Sequence, residues 1–215
     1  MSVRTEPRHR KVTRDSTGGA EGNEKLTAMT GAILLVLLAA EGVTILLKRE
    51  LLTLHFFIGM LLVGPLLLKL GSTGYRFVRY YTHSEPYVRK GPPVLLLRLL
   101  GPVVIATSVG VLGSGIVLAF TGPGTSSLTS LALLAHKAFF VLWFGAMSIH
   151  VLWYAPRLPR LLAAGSAGRD RIRFTLAGAG RRWLLLTAAL AVGLIAALAT
   201  YHLAGNWTGW MVSNG

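Results

Sequence analysis

The chain has 215 residues, of which 53% are apolar and only 14% are charged, and its mean hydropathy is +0.57. It contains no cysteine, which excludes disulfides, iron–sulfur clusters, thiolate metal sites and haem attached through a Cys-x-x-Cys-His motif. The net charge of +14 does not indicate a nucleic-acid partner, because the basic residues lie in the amino-terminal region and between apolar runs, without an aromatic stacking surface.

Apolar runs dominate the sequence after a polar beginning. Residues 1–25 are rich in Arg, Thr and Gly, and we expect them to form a disordered tail. Five apolar runs follow, each long enough to cross a hydrocarbon core about 30 Å thick at about 1.5 Å per residue. They cover residues 26–47, 51–70, 94–120, 128–154 and 183–204, and residues 205–215 form a second tail. The sequence therefore predicts an all-α integral membrane bundle with about five transmembrane helices, in contact with lipid.

Lysine and arginine predict the orientation of the bundle. The first tail, residues 71–93 and residues 155–182 together hold seventeen of them, whereas the loops on the other side hold two, Lys48 and Arg49. Because positively charged loops stay in the cytoplasm, we expect a cytoplasmic amino terminus, an extracytoplasmic carboxyl terminus and a location in the inner (plasma) membrane.

Histidines recur at matched positions within the spans. His136 and His150 lie fourteen residues apart in the fourth span, which corresponds to about 21 Å of helix and nearly one face. His55 in the second span is followed at the same spacing by Lys69. Under the predicted orientation both spans run inward, so His55 and His136 lie level near the outer leaflet, and Lys69 and His150 lie level near the inner leaflet.

Ionisable side chains inside a membrane indicate function, because each needs a partner there. Two level histidines on neighbouring helices can coordinate the iron of a flat macrocycle from its two sides. Glycines near them allow close approach of helices or of a cofactor; they are Gly59, Gly110, Gly113, Gly115 and Gly145. The alternative is that each histidine only hydrogen-bonds to a neighbouring helix or caps a span at the interface.

The pair His136 and His150, the second-span His55 and the stretch Gly113-Ser114-Gly115-Ile116 resemble the bacterial membrane-bound b-type cytochromes. These are the four- or five-helix subunits of hydrogenases, formate dehydrogenases and related oxidoreductases, and the resemblance covers roughly residues 26–204. It implies a four-helix core that binds haem b and passes electrons between quinone and a partner subunit. The chain would then be an electron-transfer subunit of an oxidoreductase rather than a stand-alone enzyme.

The chain departs from that family at Lys69, where a second ligand histidine would stand. We expect Lys69 to reach the headgroups or a haem propionate rather than to ligate iron. One haem is therefore predicted at His55 and His136, and a second, around His150, is left open. Arg98 and Lys137 are candidate partners of the propionates, with contact to lipid phosphates as the alternative.

Glu41 is the one carboxylate within an apolar run. It could relay a proton near a quinol pocket or pair with Lys137, and the sequence does not separate these two roles. Two other classes of function also fit the pattern. In a haem-free transporter or channel, the histidines and Glu41 would form a path for protons or metal ions, and in a structural subunit they would only fasten helices together.

Overall fold

The computed structural model describes residues 19–89, 91, 95–124, 126–157, 159 and 178–214. Over these residues the protein is built of α-helices with two short 3₁₀ helices, Ala155–Arg157 and Tyr201–Leu203. The α-helices are α1 Gly19–Leu46, α2 Lys48–Leu61, α3 Val63–Tyr81, α4 Glu85–Val88, α5 Leu95–Thr121, α6 Ser127–Tyr154, α7 Ala179–Thr200 and α8 Ala204–Asn214.

Five segments are long and apolar enough to cross a membrane. They are Gly19–Leu46, Glu50–Tyr81, Leu95–Thr121, Ser127–Arg157 and Ala179–Ser213. Large apolar side chains on their outer surfaces are exposed; Val36, for example, is 69% exposed and Leu152 is 76% exposed. Lipid is the medium that suits such a surface, so the predicted all-α membrane bundle is confirmed.

The structure is helical in three places outside the predicted spans. α1 begins at Gly19, so residues 19–25 are helical where we expected a disordered tail, and residues 1–18 lie outside the described residues. α3 continues to Tyr81 instead of ending near residue 70. The segment expected as a second tail forms α8, which is tied down by the Trp207 indole donating to the Leu118 carbonyl oxygen at 3.1 Å. Apolar runs mark only the part of a helix that crosses the hydrocarbon core, so polar extensions escape them.

The second span is broken at Leu62, between α2 and α3. Pro65 is fully buried and has no N–H to donate to the carbonyl oxygen of Leu61, so the hydrogen-bond ladder loses one bond there. The ladder continues on either side, because Leu62 N–H donates to Ile58 and Leu66 N–H donates to Leu62, both at 2.9 Å. α2 and α3 therefore form one span with a proline interruption.

α7 packs tightly on the second span next to this proline. A Cβ atom added to Gly193 would overlap the Leu61 carbonyl oxygen, and one added to Gly64 would overlap the carbonyl oxygen of Ala189. Both positions therefore require glycine, since the two backbones are in direct contact.

The helices form two packed groups. α1, the α2–α3 span and α7 pack together, while α5 and α6 form an antiparallel hairpin that meets this group through α2. Three buried clusters hold the helices together: Leu34, Ile58 and Leu62; Met60, Ala119 and Ala197; and Leu97, Leu100 and Ala146. α6 is the least covered span, since 6% of its apolar window is buried against 17–28% in the other four.

Candidate cofactor site

The rings of His55 on α2 and His136 on α6 lie side by side where the hairpin meets the other helices. Their centroids are 6.4 Å apart and their planes are at 87°. Both side chains are half-buried. The level placement expected from the matched spacing is thus present in the structure.

His55 is held by two side chains of α1. Its Nδ1 lies 2.9 Å from Oε1 of Glu41 and 3.1 Å from the Thr44 hydroxyl, and the Glu41 side chain is only 12% exposed. The chain turns at residues 47–51, where Leu47 and Leu51 both depart from helical backbone angles, and α1 packs against α2, so residues at similar distances from the turn meet. Glu41 therefore accepts the Nδ1–H of His55, and its expected alternative partner, Lys137, is exposed on α6.

His136 is held in a similar way by the backbone of α5. Its Nδ1 lies 2.9 Å from the Val111 carbonyl oxygen and 3.2 Å from the Ser114 hydroxyl. The ring fits because position 115 is glycine: a Cβ added there would lie 3.1 Å from Cε1 and 3.4 Å from Nδ1 of His136. α5 and α6 are antiparallel neighbours, so this bond also fixes their register.

The other glycines near the histidines differ in their surroundings. The ring of Phe139 packs directly on Gly110, and a Cβ at Gly59 would lie 3.5 Å from Oε1 of Glu41. A Cβ at Gly113 or Gly145 would meet no described atom within 4 Å. The expectation of close approach is therefore met at the first two positions and at Gly115.

Both imidazoles thus direct Nδ1 to an oxygen acceptor, so the lone pair of each ring in its neutral form lies on Nε2. This is the usual state of a histidine that binds a metal, because the bonded Nδ1–H fixes both tautomer and ring orientation. With bonds of about 2.0 Å to one metal, two axial imidazoles have centroids roughly 6 Å apart. The planes can take any mutual angle, since each has only to contain the axis that joins the nitrogens.

The donor set distinguishes between kinds of metal site. Within the described residues, no group of three or more His, Cys, Asp or Glu side chains could hold a metal ion. An ion bound by side chains alone needs three or four of them, whereas the iron of a haem takes four bonds from the macrocycle and two from the protein. Two imidazoles on facing helices match the number of protein ligands that the iron of a haem takes.

Lys69 lies at the other end of the second span and reaches across to α1. Its Nζ donates to the Thr27 carbonyl oxygen at 2.8 Å, contrary to the expectation that it extends to the headgroups or a propionate. The Thr27 hydroxyl donates to the Ser72 hydroxyl at 3.0 Å, and the Asn23 amide donates to the Ser72 carbonyl oxygen at 3.0 Å. These polar bonds fasten α1 to α3, and the Nζ of Lys69 is engaged in this contact between helices.

The remaining predicted site residues lie apart from this pairing. The ring of His150 packs on that of Tyr154, with centroids 4.8 Å apart, and no hydrogen bond joins it to the described part of the chain. Arg98 is exposed and its Nη2 donates to the Tyr81 hydroxyl at 3.4 Å. Lys137 is exposed on α6. The structure therefore brings together one pair of candidate iron ligands, His55 and His136.

Sequence reasoning missed the carboxylate partner of His55, although its signal was present. The apolar runs on either side of the first turn predict a helical hairpin, and Glu41 and His55 lie at comparable distances from that turn. Assignment of function rests on this geometry, because no protein-family profile, no curated protein and no solved structure matches the chain.

Proposed function

We propose that this protein is a membrane electron-transfer protein that binds one haem b between α2 and α6, with His55 and His136 as axial ligands. The observation that carries the proposal is the shared state of the two rings, each with Nδ1 bonded to an oxygen and Nε2 left for iron. When bound, haem would supply a couple of ferric and ferrous iron that stores one electron.

The chain's own residues would orient this group and control access to it. Imidazoles on both sides leave no open iron position, which suits electron transfer better than oxygen binding. Glu41 and Thr44 hold one ring, while Val111 holds the other, so both ligands are arranged before the cofactor binds. In a membrane, the apolar spans around the site would keep water from it. Quinone or a redox partner subunit in the membrane would donate or accept the electron.

The proposal is for one haem. Lys69 is engaged with Thr27, and His150 packs on Tyr154 without a second imidazole beside it among the described residues. Under the orientation predicted from Lys and Arg, the His55–His136 site lies nearer the extracytoplasmic face of the inner membrane.

Absorption spectroscopy of the purified protein tests this proposal. Protein expressed with ample haem should show a Soret band and, after reduction, the narrow α band of low-spin haem b, with one haem per chain. A colourless protein would overturn the proposal.

Single replacements of histidine test the ligands. His55→Ala and His136→Ala should each lose the low-spin spectrum, because removal of either imidazole opens one axial position. His150→Ala and His202→Ala are matched controls that should keep it. If all four variants retained the same spectrum, the assignment of ligands would be wrong.

A further inference from the structure

We propose that Glu41 is a positioning residue that increases electron donation from His55 to the iron and so lowers the reduction potential of the haem. This inference rests on the proposed function. It concerns a residue that does not touch the cofactor and acts through the imidazole that does.

The carboxylate is built into the site. Its Oε1 lies 2.9 Å from Nδ1 of His55, and its Oε2 lies 3.3 Å from the Thr44 hydroxyl. Gly59 on the facing helix leaves room for Oε1, since a Cβ there would lie 3.5 Å away. Among the side chains that the structure describes, which do not include those of Lys48 and Arg49, His55 is the one basic group within ion-pair distance of Glu41. This largely buried carboxylate therefore meets the imidazole directly.

The two ligands consequently have unequal partners. The Nδ1–H of His55 faces a carboxylate, whereas the nearest acceptor for that of His136 is the neutral carbonyl oxygen of Val111. A hydrogen bond to an ionised acceptor is roughly twice as strong as one between neutral groups. It draws the Nδ1 proton toward the carboxylate and makes the coordinating nitrogen more basic.

The direction of the change in reduction potential follows from charge. A more basic nitrogen donates more electron density to iron and favours the ferric state, which carries one more positive charge than the ferrous state. The negative carboxylate one imidazole away favours the ferric state by simple electrostatics as well. Both contributions lower the potential, so neutralising Glu41 should raise it.

Redox titration of the haem-loaded protein in detergent tests the inference. Glu41→Gln keeps the size of the side chain and an oxygen acceptor but removes the charge. In the haem-loaded fraction we expect, at a fixed ambient potential, a ferrous-to-ferric ratio about tenfold higher, which corresponds to about 59 mV for one electron. Ser114→Ala, beside Nδ1 of His136, is the matched control and should change the ratio less than about threefold, because Val111 still accepts the bond.

A second measurement remains informative if Glu41→Gln binds haem poorly. In His55→Gly, free imidazole can replace the missing ring, and 1-methylimidazole can also bind iron but has no N–H to donate to Glu41. With Glu41 present, imidazole should give the lower potential of the two. That difference should shrink severalfold in the double variant with Glu41→Gln.

The outcomes separate the two proposals. A haem-loaded wild-type protein whose potential is the same in Glu41→Gln, or whose two imidazoles give equal potentials in His55→Gly, would overturn the role of Glu41 and leave the haem site intact. A wild-type protein that binds no haem would overturn both.

Discussion

Replacing Gly193 with alanine should destabilise the bundle, because it forces α7 away from the second span at Leu61. The added methyl group would overlap the Leu61 carbonyl oxygen and would lie 3.1 Å from its carbonyl carbon and 3.4 Å from its Cα. Carbon atoms normally pack at about 3.5–4.0 Å, and relief of the closer oxygen contact as well requires α7 to move by about 1 Å. The obstacle is backbone, so no rotation of a side chain can relieve it.

The cost can be estimated from general packing energetics. Overpacking a well-packed site costs about 1–3 kcal/mol. Alanine also gains up to about 1 kcal/mol over glycine in a helix, which opposes this cost. Gly113→Ala is the appropriate control, since position 113 is helical and a Cβ there meets nothing within 4 Å. Comparison of the two variants cancels the helix-propensity gain and leaves the packing cost.

Thermal unfolding in detergent, followed by circular dichroism, measures the difference. At roughly 2–4 °C per kcal/mol for a chain of this size, Gly193→Ala should unfold at least about 2 °C below Gly113→Ala. Gly64→Ala, on the opposite side of the same contact, should behave like Gly193→Ala. Equal unfolding temperatures for Gly193→Ala and Gly113→Ala would show that the two backbones are not in contact.

Three further changes test other parts of the structure. Gly115→Ala should weaken haem binding severalfold, because its Cβ would lie 3.1 Å from Cε1 of His136 and would displace the ring by a few tenths of an ångström; haem transfer to apomyoglobin measures this. Lys69→Met should leave haem content unchanged and should not lower the unfolding temperature, since it removes a half-buried ammonium with one backbone acceptor. In this cysteine-free chain, Ser213→Cys should react with an impermeant maleimide on intact cells and Thr82→Cys only after lysis.

For each of these three predictions, a specific result would contradict the expectation. Gly113→Ala, two residues before Gly115, should transfer haem at the wild-type rate, and a matching rate for Gly115→Ala would contradict the fit of the His136 ring. Loss of haem in Lys69→Met would mean that the lysine belongs to the cofactor site after all. Reversed labelling of the two cysteines would invert the predicted orientation.

The spans and the level placement of the histidines could be predicted because both depend on local regularities. An apolar run must be long enough for the bilayer, and a helix rises by a fixed length per residue. These two facts were sufficient to predict that His55 and His136 lie at one depth. The partner of His55 could also have been derived, since Glu41 and His55 lie at similar distances from the short turn that joins the first two spans.

The partners of the other polar side chains could not be derived in this way. Lys69 has a flexible stem that reaches lipid headgroups as easily as a neighbouring helix, and the choice depends on which helix lies beside it. That helix is α1, where Gly31 leaves space for the ammonium group. The helical state of residues 204–214 was also missed, because glycines and polar residues weaken its local signal and the contact of Trp207 with α5 is far away in sequence.

The contact between Lys69 and Thr27 also has a consequence for biogenesis. A lysine within a span opposes transfer of that segment from the translocon into lipid, by up to about 3 kcal/mol at the centre of the bilayer. Its acceptor lies on α1, and one residue separates α1 from α2. The ammonium group gains this acceptor only when the first span is already beside the second, which favours release of the two segments from the translocon together as a helical hairpin.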